Sequence, residues 1–228
     1  TDKATLTLED GSTVVLEKGK VYNNKNVNST GKELLYNKSN SASKKVAYHY
    51  LTIPRGGQFA ITLSDGTKVW LNSETQLKFP VHFVEGKTRG VELVYGEAYF
   101  DVSPSTAHNG AGFTVFQKSQ KINVIGTEFN IKAYKDDSNI ATTLVEGKVE
   151  MEFANVKQNL IPNQRANFNI KTNKVKIAKV DVYNDICWKN GVFSFEDKPL
   201  DEIMKVLSRW YDIEVKFDPD PDSNTNNI

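Results

Sequence analysis

The residues whose types could do chemistry are few and scattered. The chain holds three histidines, His49, His82 and His108, and one cysteine, Cys187. No two histidines share the helical spacing of a metal-binding pair, and a lone cysteine offers neither a disulfide nor a cysteine pair for zinc. Cys187 stands beside Trp188 and reads as a small buried hydrophobe. Glu97 and Glu146 each flank a glycine within a strand pattern and could form a glycosidase pair, but that chemistry needs a set separation across a cleft. The plainer reading is two solvated strand residues. Serine, histidine and aspartate all occur without a nucleophile-elbow motif. Arg55-Gly56-Gly57 could form an anion-binding nest, yet no helix follows, so it reads as a flexible lead-in to a strand. The residues thus offer no catalytic, cofactor or metal set.

The elements that would have to position such groups are strands. Residues 56–72, GGQFAITLSDGTKVWLN, alternate into a turn at Asp65-Gly66 and out again, the strongest short-range hairpin signal. With a two-residue turn, Ile61 would face Trp70, and Val69 and Leu71 would point to the other side. A bulge at the glycine would change that register. The unit recurs: LTLEDGSTVVL at 6–16 matches ITLSDGTKVWL at 61–71, where the same arithmetic pairs Leu6 with Val15. Gly96, Gly126 and Gly147 each interrupt an apolar stretch, as where a strand bends from one sheet into another. About a dozen short strands therefore predict an all-β domain over 1–185, a β-sandwich or jelly-roll-like fold. Within it, residues 1–47 read as a hairpin and a long polar connection in which only 33–36 looks like a strand.

Near Ile186 the pattern changes. Val192 to Phe195 suggests a strand, Asp197 an N-cap, and Leu200, Ile203, Met204, Leu207 and Tyr211 one face of a helix. Asp201 and Glu202 at its start and Arg209 at its end suit the macrodipole. Ile213, Val215 and Phe217 then alternate, so 186–228 reads as a βαβ unit, the start of an incomplete, small α+β domain.

Lysine and arginine number 29 against 28 acidic residues, a net charge of +1, which gives no basic footprint for nucleic acid. No apolar run approaches the roughly 18 residues of a membrane span, and the first residues show no charged-then-apolar leader pattern. The chain is expected to be an excised piece of a longer protein.

Five segments in order, PRGGQFAITLSDGTKVWLNSETQLKFP, VELVYGEAYFDV, INVIGTEFNIKAY, TTLVEGKVEM and WKNGVFSFEDKPLDEIMKVLSRWYDIEVKF, resemble the FecR family of membrane-anchored regulators that pair with extracytoplasmic-function sigma factors. The resemblance implies a periplasmic, signal-receiving segment of an inner-membrane-anchored anti-sigma regulator, with no enzymatic activity. Its last piece resembles the secretin and TonB short N-terminal fold. The implied partner is the signalling domain of an outer-membrane TonB-dependent transporter; the sigma factor would be reached only through a cytoplasmic domain absent here. Carried onto this chain, the partner surface comprises Val206 and Trp210, off the main helical stripe, with Ile213 and Val215 on the strand that follows. A reading from another class is a carbohydrate-binding sandwich using Trp70, Trp188 and Trp210. It requires a coplanar row of exposed rings and fails if the three lie apart.

Overall fold

Alternating apolar residues lay most of the chain down as strand, with turns wherever glycine or asparagine can take a positive φ. The computed structural model describes residues 3–17, 19–24, 26–31, 33–37, 46–153 and 156–217. In chain order the strands are β1 (Lys3–Thr7), β2 (Thr13–Glu17), β3 (Tyr22–Asn23), β4 (Val27–Ser29), β5 (Glu33–Tyr36), β6 (Tyr48–Ile53), β7 (Phe59–Thr62), β8 (Lys68–Leu71) and β9 (Thr75–Pro80). Then follow β10 (Arg89–Asp101), β11 (Phe113–Gln117), β12 (Gln120–Val124), β13 (Glu128–Ala133), β14 (Asn139–Glu146), β15 (Val149–Phe153), β16 (Val156–Leu160), β17 (Gln164–Asn169) and β18 (Lys174–Lys179). Two helices close the described chain, α1 (Tyr183–Ile186) and α2 (Leu200–Tyr211), and short 3-10 turns occupy Ser105–His108 and Cys187–Asn190.

The strands form two sheets that share β10. One runs β2-β1-β6-β9-β10-β11-β12-β15-β16 and the other β3-β4-β5-β7-β8-β10-β13-β14-β17-β18. All neighbours are antiparallel except β10–β11 and β5–β7. The expected corner is real: β10 pairs with β9 and β11 through Tyr95 and with β8 and β13 from Gly96 onward. Gly96 sits there at φ +102°, and a Cβ on it would collide with the Thr75 backbone and hydroxyl. Only glycine lets the strand turn between sheets at this point. Inward residues of both sheets, among them Leu51, Leu77 and Leu93 from one and Leu71, Phe100 and Phe129 from the other, form one core. Phe100 and Phe129 stack at its centre, 5.1 Å between rings. The fold is mainly β, as expected, with a small helical region at its C-terminal end.

The central hairpin forms, one residue out of the two-residue register. Gly66 N–H bonds the Leu63 carbonyl and Leu63 N–H bonds the Thr67 carbonyl, so Ser64-Asp65-Gly66 is a three-residue loop with Gly66 at φ +85°. Ile61 therefore faces Val69, not Trp70. Ile61, Val69 and Leu71 all point into the core while Trp70 stands on the outer face. The first copy builds the same loop, with Gly11 bonded to Leu8 and Leu8 to Ser12, and pairs Leu6 with Val14 instead of Val15. The internal repeat is thus a repeat of turn geometry.

Two further expectations are corrected. The polar connection after β2 is not a solvated excursion throughout: β3, β4 and β5 form a meander on the edge of the second sheet, with Val27 and Leu34 fully buried. Residues 38–45 lie outside the described chain. At the other end α2 forms, but Pro199 occupies the N-cap position and Asp197, at φ +48°, makes no cap. Residues 192–195 and 213–217 flank the helix without strand pairing, because among the described residues no neighbouring strand offers them a hydrogen-bonding edge.

Candidate functional site

The groups with chemical potential are mostly sealed. His49 is buried and shares a 2.6 Å hydrogen bond between its Nδ1 and the Tyr36 hydroxyl; burial holds its imidazole below the ordinary value. Cys187 is 2% exposed, and burial raises its thiol. Among the described residues no group of three or more histidine, cysteine, aspartate or glutamate side chains could hold a metal ion. Glu97 is not the solvated residue expected. It lies in the interior, accepting hydrogen bonds from the side-chain amides of Asn72 (2.9 Å) and Asn130 (3.0 Å). Desolvation pushes its pKa up, opposed by Lys132 and by those two bonds. Glu146 is exposed at the end of β14. Glu97 pairs with Lys132 and Lys132 with Ala141, so Glu146 lies roughly 17 Å further along that strand. That exceeds the roughly 5–9.5 Å of a glycosidase pair.

Folding does bring together one pair that sequence reasoning did not single out. Ser103 Oγ and His108 Nε2 lie 2.9 Å apart, across a tight turn that Arg89 holds from beneath. Arg89 is buried, bonded to the Asp65 carboxylate (2.8 Å) and to the carbonyls of Ser103 (2.9 Å) and Ala111 (3.1 Å). Asp65 also accepts from the Thr67 N–H and hydroxyl. Aspartate of the hairpin turn is therefore structural, as its turn position suggested, and its ion pair ties the hairpin to the 103–111 loop.

The three tryptophans lie in separate environments. Trp70 packs edge-on to Tyr99, 5.7 Å away, on the outer face of the second sheet, where the Lys189 ammonium sits 3.6 Å from the Tyr99 ring centre. Trp188 is buried, and Trp210 packs against Phe193 at 4.3 Å. No coplanar row exists, so the sugar-binding reading loses its platform. An open groove of about 660 Å³ does lie on the first sheet's outer face, bordered by Tyr48, Lys78, Phe83, Glu92 and Phe116. Its floor is made of ordinary cross-strand pairing: Lys78 meets Glu92 at 3.4 Å, and the Phe116 ring covers Gly90.

The feature that stands apart is the seat of α2. Residues 183–190 anchor first, through Asp185, which accepts from Thr143 Oγ1 (2.6 Å) and Arg165 (3.0 Å). The chain then crosses 191–199, mostly exposed, to α2. A helix leaves its last carbonyls short of intrahelical donors; here the Ser208 carbonyl takes the N–H groups of Asp212 and Ile213, and the β-domain adds donors of its own. Arg55 donates to the carbonyls of Ser208 (2.8 Å) and Ile213 (2.9 Å), and the Gly56 N–H to that of Arg209 (2.7 Å). The Arg-Gly-Gly segment, read as a mere lead-in, is the docking point for a helix end. Arg209 reciprocates: it bonds Asp136 (2.5 Å), lies within 3.5 Å of Asp137 and 3.6 Å of Glu74, and stacks 3.8 Å over the Tyr134 ring. Burial opposes its charge, but Asp137, Tyr134 and Asp136 outweigh that and raise its pKa.

Of the expected contact residues, Val206 and Trp210 lie on α2 and Ile213 and Val215 on the segment that follows it. Val206, Trp210 and Val215 are half-buried and Ile213 is 43% exposed. The indole N–H of Trp210 is buried with no hydrogen-bond partner among the described residues. Around them Leu200 and Tyr211 are each 62% exposed and Phe217 56%. The expected helical stripe is thus open at its ends, Leu200 and Tyr211, and half-buried at Ile203, Met204 and Leu207, and among the described residues no helix is long and apolar enough to cross a membrane.

The model of the FecR protein family matches residues 49–150, and the model described as FecR, C-terminal matches 192–227. Two crystal structures of a candidate anti-sigma factor from Parabacteroides distasonis share the fold. One, at 1.65 Å, is 30% identical with a TM-score of 0.67, covering 72% of this chain and 76% of that one. The other, at 2.50 Å, is 29% identical with a TM-score of 0.67, over 73% and 76%. No curated protein sequence matches the chain. The ordered β-domain match, the separate match over α2 and its flanks, and a relative at 30% identity aligned over most of its length together place this chain in the FecR family.

Proposed function

We propose that this chain is the signal-receiving region of an anti-sigma regulator and acts through protein contacts, not catalysis. The observation that carries this is α2: an amphipathic helix whose one buried side chain is an arginine and which leaves Leu200 and Tyr211 open, with Ile213 open just beyond its end. Apolar surface left uncovered beside a docked helix suits a protein partner better than solvent. Family membership and the anti-sigma description of its structural relatives support the regulatory role. The partner is the signalling domain of an outer-membrane TonB-dependent transporter, received in the periplasm on Val206, Trp210, Ile213 and Val215. The backbone of residues 214–217, which joins no strand among the described residues, is available for strand addition. The sigma factor is reached through a cytoplasmic segment of an inner-membrane-anchored parent protein.

Calorimetric titration of this chain with the signalling domain of a co-encoded transporter tests the proposal. Saturable binding is expected, weakened at least about tenfold by Trp210→Ala in a variant that keeps the wild-type melting profile. Failure of several such domains to bind would reject it.

A further inference from the structure

The attachment of α2 is made of charge and backbone, and that gives it a property that apolar packing would not. The continuous core of the β-domain includes no residue of α2 or of the segment before it. Instead Arg55 and Gly56 hold the helix's terminal carbonyls, and Arg209 holds the β-domain's carboxylates. Two of those carboxylate side chains, Asp136 and Glu74, are 58% and 44% exposed, so water and salt reach half of the contact. The strap at 191–199 makes no strand pairing, and Gly191 at φ +76° has open space around it. Its start is held by backbone bonds from Gly191 to the Trp188 carbonyl and from Val192 to that of Cys187, and beyond them Asn184 accepts from the Ser194 hydroxyl and donates to Glu196.

We infer that the two arginines form a releasable clasp: α2 lifts from the β-domain as a unit while both sheets stay folded, and this opening regulates access to the helix surface. The inference rests on the reading of that surface given above. A partner that binds the released helix better than the docked one shifts the equilibrium by its difference in affinity for the two forms. Ionic strength shifts it as well, since raising salt from about 0.1 M to about 1 M cuts the screening length from about 10 Å to about 3 Å.

Hydrogen exchange followed by mass spectrometry on the whole chain, with no partner present, tests the clasp. In the wild type the α2 amides are expected to exchange through a local opening, faster than those of Leu71, Phe100 and Phe129 in the core strands. Arg209→Ala should speed α2 exchange by about tenfold to a hundredfold, the effect of losing charge-assisted hydrogen bonds, and leave the core strands unchanged. Arg55→Ala, which leaves the Arg209 carboxylates paired, should act in the same direction, as should high salt on the wild type. The inference is overturned if α2 and the core strands exchange together in the wild type, or if neither variant changes α2. Because no partner is present, these results stand apart from the binding test: normal opening without transporter binding would reject the surface reading and leave the clasp intact.

Discussion

Breaking the ion pair under the central hairpin turn gives a prediction whose size follows from the geometry. Arg89 and Asp65 side chains are each 2% exposed and meet at 2.8 Å. The same guanidinium holds two loop carbonyls and lies 5.4 Å from the Phe113 ring centre. Arg89→Ala would leave a buried carboxylate supported only by Thr67 and two carbonyls without donors. Removing one member of such a pair costs about 3–5 kcal/mol, and about 2–4 °C is lost per kcal/mol in a chain of this size. The melting midpoint should therefore fall by roughly 6–20 °C. Urea denaturation gives the free energy, and a cycle with Asp65→Asn isolates the pair. Asp65→Asn combined with Arg89→Met should recover much of the loss, since the stranded charge is gone. Asp10 is the internal control: it makes the same turn bonds to Ser12 on the surface, without an arginine, and Asp10→Ala should leave the midpoint unchanged. An Arg89→Ala loss no larger than about 1 kcal/mol, the scale of an ordinary substitution, would refute the reasoning.

Two other predictions concern the interior. Gly96→Ala places a Cβ against Thr75 at φ +102° and should cost at least about 2 kcal/mol in urea denaturation. Gly86→Ala, at φ +73° in open space, should cost less than half of that. Glu97, whose folded-state pKa is raised by burial, holds its proton to higher pH in the folded chain than in the unfolded one. Stability relative to Glu97→Gln should therefore decline as pH rises through the unfolded value near 4.5 toward the raised folded one, and level off above it. In the Gln variant the free Oδ1 of Asn130 can turn to accept the new amide. Urea midpoints of both proteins across that range provide the check, and parallel curves would count against it.

Local signals carried the turns and corners, and long-range partners carried what the sequence left hidden. Asp65-Gly66 marks the hairpin, but an Asp-Gly step serves two-residue and three-residue loops alike, so the register slipped by one and Trp70 was set on the wrong side of the pairing. Gly96 announced its bend because the apolar stretches on both sides of it continue as strand. Val27 and Leu34 were missed because single apolar residues among asparagines give no period to read, although both end in the core. Glu97 was misread because the amides that make its burial tolerable, on Asn72 and Asn130, come from 25 and 33 residues away. The 3.6-residue period of α2 was plain, yet its mode of docking was not: Arg209 suited the macrodipole, while its carboxylate partner Asp136 lies 73 residues earlier. The glycine pair after Arg55 looked like flexibility until a helix end appeared against it.

Whether α2 and the residues after it receive the partner is decided by a hydrogen-exchange footprint at saturating transporter signalling domain. New protection is expected over residues 200–217, centred on Trp210 and Ile213, with the outer face of the first sheet around Tyr48 and Phe116 unchanged. Protection confined to that sheet face, with 200–217 as exchangeable as in the free chain, would contradict it.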